Sequence, residues 1–148
     1  MREIIDIMAQ YEETIGKLYQ TYAQTQPELA DLWNTLYSQE MEHRNWLINL
    51  ADAVGTGKVH FNKDRFKIEP LHLALDYINK ELSKAQNMTI PTKDSLNKAF
   101  QIEQSMIEKK FFEVFETDSV DLKHVLQNLA NETKKHIEMI REKQASLA

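Results

Sequence analysis

Four segments of the 148-residue chain each place a glutamate within a stripe of apolar residues that recur at helical spacing. Two of these stripes also carry a histidine three or four residues after the glutamate, on the same helical face. The polar residues on the stripes are Glu12, Glu40, His43, Glu103, Glu132 and His136. A buried carboxylate is costly unless it is paired or bound to a metal. The stripes are therefore expected to meet around a shared cation site.

The composition favours long helices. The chain has only 3 Gly and 3 Pro, and 28% of its residues are charged. Few chain breakers leave little room for the many turns of a β-protein. We expect a single all-α domain that spans residues 1–148.

The apolar spacing predicts a first helix from Arg2 to about Thr25. A capping box over residues 25–28 is expected to begin the second helix, with Pro27 in its first turn. That helix should end at residues 55–57, where Gly57 follows Gly55 and favours a left-handed cap.

The connection over residues 58–91 has a different pattern: an irregular stretch at 60–70, a short helix over 71–85 and a break at 87–91. A third long helix is expected over 92–114, and a fourth after the break at residues 117–119. Two long helices, a long connection and two more long helices predict a four-helix bundle with one crossover, which contains a short extra helix.

Charge and cysteine content narrow the function. The formal net charge of −5 gives no basic face for nucleic acid. Cysteine is absent, so any metal must be held by Glu, Asp or His, ligands that suit iron, manganese or zinc. The sequence shows neither a signal peptide nor an uncharged stretch long enough to span a bilayer, so a cytoplasmic protein without membrane contact is expected.

The number of carboxylates favours two metal ions over one. Two neighbouring divalent ions need bridging carboxylates to screen their repulsion, terminal carboxylates to balance their charge and neutral imidazoles to complete their coordination. The di-iron and di-manganese bundles supply these groups as one Glu from each of two helices and a Glu/His motif from each of the other two. The six polar residues match that description. A metal-free network of buried ion pairs is the main alternative, but no Arg or Lys accompanies the six residues on their stripes.

The motifs resemble those of the ferritin-like superfamily, and within it those of rubrerythrin-like proteins. Glu40-Met-Glu-His43 is similar to the Glu-x-x-His of their second helix, and Glu132-Thr-Lys-Lys-His136 to the motif of their fourth helix. The resemblance implies terminal ligands Glu12 and His43 on one metal, terminal ligands Glu103 and His136 on the other, and bridging ligands Glu40 and Glu132.

The chain departs from that family at two positions. Rubrerythrins usually carry a further Glu three residues after the third-helix ligand, where this chain has Met106, and another just before the last His, where it has Lys135. They also carry a cysteine-ligated rubredoxin domain, which a chain without cysteine cannot form. Electrons would therefore come from a separate donor protein.

The function expected from the resemblance is that of a non-haem di-iron oxidoreductase, which reduces hydrogen peroxide or dioxygen in oxidative-stress defence. Two iron ions are the expected cofactor, with manganese or zinc as substitutes. A homodimer is expected by analogy with this class. Two other functions fit the same residues: a ferroxidase or iron-handling protein, and a non-catalytic helical interaction module with a structural metal site.

Overall fold

The computed structural model describes residues 2–57, 59–61, 68–108, 115–117 and 120–147. Within these ranges the chain is helical, apart from a ribbon of two short strands. The elements are α1 (Arg2–Thr25), a 3₁₀ helix (Pro27–Leu29), α2 (Ala30–Gly55), β1 (Val59–Phe61), α3 (Ile68–Asn87), α4 (Thr92–Glu108), β2 (Phe115–Thr117) and α5 (Val120–Ser146).

Helices α1 and α2 form an antiparallel hairpin. Tyr22 near the end of α1 packs on Trp33 near the start of α2, with ring centroids 5.0 Å apart. Gly16 lies where the two helices approach most closely, because a Cβ there would stand 3.4 Å from the Cβ of Glu40. A close hairpin brings the stripe that holds Glu12 against the stripe that holds Glu40.

Helix α3 is longer than the short helix expected over residues 71–85, and it packs along α1. Its buried residues recur at helical spacing and include Leu71, Ala74 and Ile78. Glu81 continues the same spacing, and its carboxylate lies 3.7 Å from the ammonium group of Lys98 on α4. Helix α3 is therefore a structural layer that contacts both α1 and α4.

Helices α4 and α5 form a second antiparallel pair. The amide of Gln144 donates to Asn97 at 2.9 Å, near the end of α5 and the start of α4. One turn along, the guanidinium of Arg141 lies 5.3 Å from the centroid of the Phe100 ring. Helix α5 also contacts α2, so the two helices that carry the histidine motifs are neighbours.

The two strands form an antiparallel ribbon in which Val59 pairs with Thr117 and Phe61 with Phe115. Neither strand was expected from the sequence, because each has only three residues and is too short to show an alternating pattern. The ribbon joins the segment that follows α2 to the segment that precedes α5.

The helical fold expected from the sequence is confirmed, and so is the left-handed Gly57 after α2, with φ of 79°. The capping box at residues 25–28 is wrong. Gln26 occupies the cap position without a side-chain cap bond, and the hydroxyl of Thr25 bonds back to the carbonyl of Tyr22 at 3.4 Å. The expected end of the third long helix, residues 109–114, lies outside the described residues.

The buried side chain of Gln26 joins three parts of the chain. Its carbonyl accepts from the indole N–H of Trp33 at 2.9 Å and from the hydroxyl of Ser95 at 3.1 Å. Its amide donates to the carbonyl of Ile90 at 3.0 Å. Because Gln26 is only 2% exposed, these bonds replace water that cannot reach the groups. Gln26 therefore fixes the α1–α2 turn against the turn between α3 and α4.

We expect Gln26→Leu to lower the free energy of unfolding by about 2–4 kcal/mol, because the Trp33 indole and the Ile90 carbonyl would be buried without partners. Urea denaturation would measure the change. Gln24→Leu, at an exposed position two residues earlier, is the matched control and should change stability by less than about 0.5 kcal/mol. Equal stability of the two variants would contradict the structural role of Gln26.

Candidate metal centre

Five of the six predicted ligands are buried in the interior of the bundle. We call them the Glu/His cluster: Glu12, Glu40, His43, Glu103 and His136, none more than 1% exposed. They come from α1, α2, α4 and α5, one helix for each predicted stripe. These buried groups could hold a metal ion. Which of them bind metal stays a prediction.

Glu40 lies at the centre of the cluster. Its Oε1 is 3.0 Å from Nδ1 of His136, and its Oε2 is 3.5 Å from Nδ1 of His43. The two imidazole rings stack at a centroid distance of 5.3 Å. Each oxygen of one carboxylate therefore lies near a different histidine.

The six residues form three overlapping groups, in each of which one ligand atom per residue lies within 4.8 Å of the others. One group joins Glu12, Glu40 and His43. A second joins Glu40, Glu103 and His136. The third joins Glu132 to the two histidines. Glu40 belongs to the first two groups, so it connects two sets of three potential ligands.

Several oxygens of the cluster are buried without a hydrogen bond. Both oxygens of Glu40, one of Glu12 and one of Glu103 have no hydrogen bond of acceptable geometry, although those of Glu40 lie within ion-pair distance of the two histidines. Buried carboxylate oxygens are costly in that state. Oxygen and imidazole donors of this kind suit iron, manganese and zinc. The residues present therefore fit a metal ion.

Protons balance the charge of the cluster when no metal is bound. Burial raises the pKa of Glu12 well above its usual value, and the carboxylate of Glu40 raises it further. Burial also raises the pKa of Glu40, but protonated Glu12 and the two histidines outweigh that effect and hold it well below its usual value. Glu40 is thus the ionised member of the pair and Glu12 the protonated one.

His136 carries the compensating positive charge. Burial lowers its pKa, but the carboxylates of Glu103 and Glu40 outweigh burial and raise it to about 10. Burial, together with the charge of Glu40, raises the pKa of Glu103 to about 7. At neutral pH the metal-free cluster therefore contains the His136 imidazolium between carboxyl groups. A bound metal cation would replace the protons of His136 and Glu12.

Two further side chains hold members of the cluster in place. The hydroxyl of Tyr19 donates to Oε1 of Glu103 at 2.9 Å, a contact that fixes the orientation of this carboxylate. Gln39 was not expected: its Oε1 lies 2.7 Å from Nε2 of His136. A carbonyl there keeps a proton on Nε2 and directs Nδ1 toward the carboxylates. No sequence signal marks Gln39, because it lies beside the apolar stripe.

Glu132 differs from the expectation of a buried ligand. Its side chain is 25% exposed and lies 3.1 Å from the ammonium group of Lys135, one turn along α5. Lys135 is 66% exposed and so lies outside the buried stripe, but it pairs with Glu132 at the edge of that stripe. Lys135 thus competes with the histidines for Glu132. Met106, at the position where rubrerythrins carry an additional Glu, is buried in the core.

Comparisons of the chain with protein-family models, with curated proteins and with solved structures found no significant match. The resemblance to rubrerythrin-like proteins therefore rests on the sequence motifs alone. Within the described ranges, no helix is both long and apolar enough to cross a bilayer.

Metal affinity is expected to rise with pH between 6 and 8. Ligation needs neutral His136, whose pKa of about 10 keeps it protonated throughout this interval, and ionised Glu12 and Glu103, whose pKa values are also raised. Displacing the His136 proton alone gives an increase of about tenfold per pH unit, and the protons of the two glutamates add to it. Competition with a chelator of known affinity would measure it. A constant affinity across this interval would contradict the assignment of these groups.

Lys135→Gln should increase metal affinity by up to about fivefold, since a half-exposed ion pair that holds Glu132 outward is worth about 0–1 kcal/mol. The same chelator competition would detect the change. Lys134→Gln, at an exposed position on α5, is the control for the lost positive charge. An equal effect of both substitutions would point to net charge rather than to Glu132.

Proposed function

We propose that the chain is a ferritin-like, rubrerythrin-like protein whose Glu/His cluster and Glu132 hold two iron ions, and that it reduces hydrogen peroxide or dioxygen. The observation that carries this proposal is the pair of three-residue groups that share Glu40. A mononuclear structural site would need one such group, and an ion-pair network would leave fewer carboxylate oxygens without partners.

The helix arrangement supports the same class. Helices α1 and α2 form one antiparallel pair and α4 and α5 another, with α3 in the connection between them. Ferritin-like bundles have this order, with one crossover and inward-facing Glu and Glu/His motifs. The overlapping groups match the roles that the resemblance implies: terminal Glu12 and His43, terminal Glu103 and His136, and bridging Glu40.

Bound iron would supply the electrons for O–O bond cleavage, and the chain would control the surroundings of that reaction. The Tyr19 hydroxyl orients Glu103, and Gln39 fixes the proton on Nε2 of His136. The apolar core around the cluster excludes bulk water.

Net reduction of one hydrogen peroxide to two waters consumes two electrons and two protons. The oxidised site must therefore be reduced again before each turnover. We propose a separate electron-donor protein for this role, as in the sequence-based expectation, and a homodimeric assembly by analogy with the class.

The metal content of protein expressed with added iron should be close to two ions per chain. Glu40→Ala combined with His43→Ala is expected to lose both ions, because Glu40 belongs to both groups of ligands. The control is Glu42→Ala with His72→Ala, which removes an exposed Glu and an exposed His. Plasma emission spectroscopy of the purified variants would give the ratio. Equal metal content in the two double variants would contradict the assignment.

Catalysis is tested by reducing the iron-loaded protein without air and adding one equivalent of hydrogen peroxide. We expect rapid reoxidation, followed by absorbance, with two electrons consumed per peroxide. The Glu40/His43 double variant should show none. Repeated turnover of added Fe(II) with release of ferric product would instead favour a ferroxidase. Iron that peroxide does not reoxidise would favour a structural site.

A further inference from the structure

A cavity of about 370 Å³ lies between α1, α3 and α4, beside the Glu/His cluster. Its volume is at the lower end of the range of about 300–1,000 Å³ for small-molecule sites. Hydrogen peroxide and dioxygen have only two heavy atoms each, so neither substrate requires a space of this size.

The lining of the cavity is mainly apolar, with three hydroxyl groups. Leu73, Ala74, Ile78 and Ile102 supply apolar surface. Tyr77 supplies one hydroxyl, and Tyr11 and Ser105 supply the other two. These two hydroxyls hydrogen-bond to each other. Ser105 also donates to the carbonyl of Ile102 at 2.9 Å. A hydroxyl oxygen has two acceptor lone pairs, so the two hydroxyls can still accept a hydrogen bond from a ligand.

The cavity adjoins the cluster through Tyr11. Glu12 follows Tyr11 on α1, and Glu103 follows Ile102 on α4. Tyr11 and Ile102 line the cavity and are at most 3% exposed, so both lie between the cavity and the buried interior that holds the cluster. A molecule bound in the cavity would thus lie on the other side of these two side chains from the cluster.

The charges around the cavity favour a neutral occupant. Among the residues that the structure describes, none that lines the cavity carries a formal charge. The carboxylates behind Tyr11 would repel an anion. At the open side, the Lys98 ammonium lies 2.5 Å from the Tyr77 hydroxyl, where it would repel a cation. Leu73 and Tyr77 are 69% and 43% exposed, so a molecule can enter from solvent between them.

We propose that this cavity binds a small neutral phenol, with the ring against the apolar lining and the hydroxyl toward Tyr11 and Ser105. A phenol remains neutral at pH 7, since its hydroxyl titrates near pH 10 (about the value for tyrosine). The bound phenol serves as a reductant for the peroxide reaction, and this role, unlike the binding, rests on the proposed function.

The electron balance is two phenols for each hydrogen peroxide. Each phenol loses the electron and the proton of its O–H bond and becomes a phenoxyl radical. The O–O bond of peroxide breaks, and its two oxygens take up two electrons and two protons to become two waters. The cavity would thus supply electrons by a route separate from a donor protein.

Binding is tested first, on metal-free and iron-loaded protein, with phenol and benzene as probes in NMR titrations. Phenol should bind about tenfold more tightly than benzene, because only phenol can hydrogen-bond to the hydroxyl pair. Tyr11→Phe preserves the ring and should remove that preference. Equal binding of the two probes to the unsubstituted protein would overturn the proposal.

Ala74→Leu fills the cavity from α3 and should weaken phenol binding at least tenfold, while circular dichroism checks that the helices remain. Ser83→Leu, at an exposed position on the same helix, is the matched control and should bind normally. If Ala74→Leu fails to fold, Tyr11→Phe still decides the outcome. Unchanged phenol affinity in folded Ala74→Leu would overturn the site.

The reductant role is tested with iron-loaded protein, peroxide and phenol. The rate of phenol oxidation should saturate at the phenol concentration that saturates binding, and Ala74→Leu should lose it. Reoxidation of pre-reduced protein by peroxide without phenol tests the proposed function alone. Normal phenol binding without that reoxidation would overturn the peroxide function and the reductant role but support the phenol site. Reoxidation with no saturable phenol oxidation would overturn only the reductant role.

Discussion

The attraction between ionised Glu40 and its proton-bearing neighbours is the interaction on which the interior of the bundle depends. Several carboxyl groups lie in a region that water does not reach, and a fully ionised set would repel strongly. Protons on Glu12 and His136 offset that repulsion when metal is absent. The metal-free fold and the metal-binding fold can therefore share one set of side-chain positions, because protons and cations occupy the same region in turn.

The core outside the cluster is built to hold those positions. Tyr19 bonds to Glu103 through its hydroxyl, and its ring stacks on Trp33 with centroids 5.5 Å apart. Trp33 in turn donates to Gln26. A continuous path of contacts thus runs from a cluster carboxylate to the turn between α3 and α4. Rigid support of this kind reduces the reorganisation that ligands undergo when charge changes at the site.

Much of this arrangement follows from local sequence patterns. Helical periodicity predicts the long helices, and it places Glu12, Glu40 and Glu103 on buried faces because each lies among apolar neighbours. Periodicity fails for Glu132, since an apolar stripe does not reveal where its edge lies or that Lys135 attracts the carboxylate outward. The roles of Gln39 and Gln26 were not predicted from the sequence for a related reason. Their roles depend on partners 97 and 69 positions away, and long-range hydrogen bonds leave no periodic signal.

The short β-ribbon has a mechanical consequence for the cluster. Its first strand, β1, begins at Val59, two residues after Gly57, which follows α2. Its second strand, β2, ends at Thr117, three residues before α5 begins, so the ribbon connects the helices that carry the two histidines. Sliding one helix by a single residue along the other would shift its side chains by about 1.5 Å. A displacement of that size would separate Glu40 from one of its histidines. By limiting axial slip, a ribbon of six residues helps to set the spacing between the two halves of a site in the bundle interior.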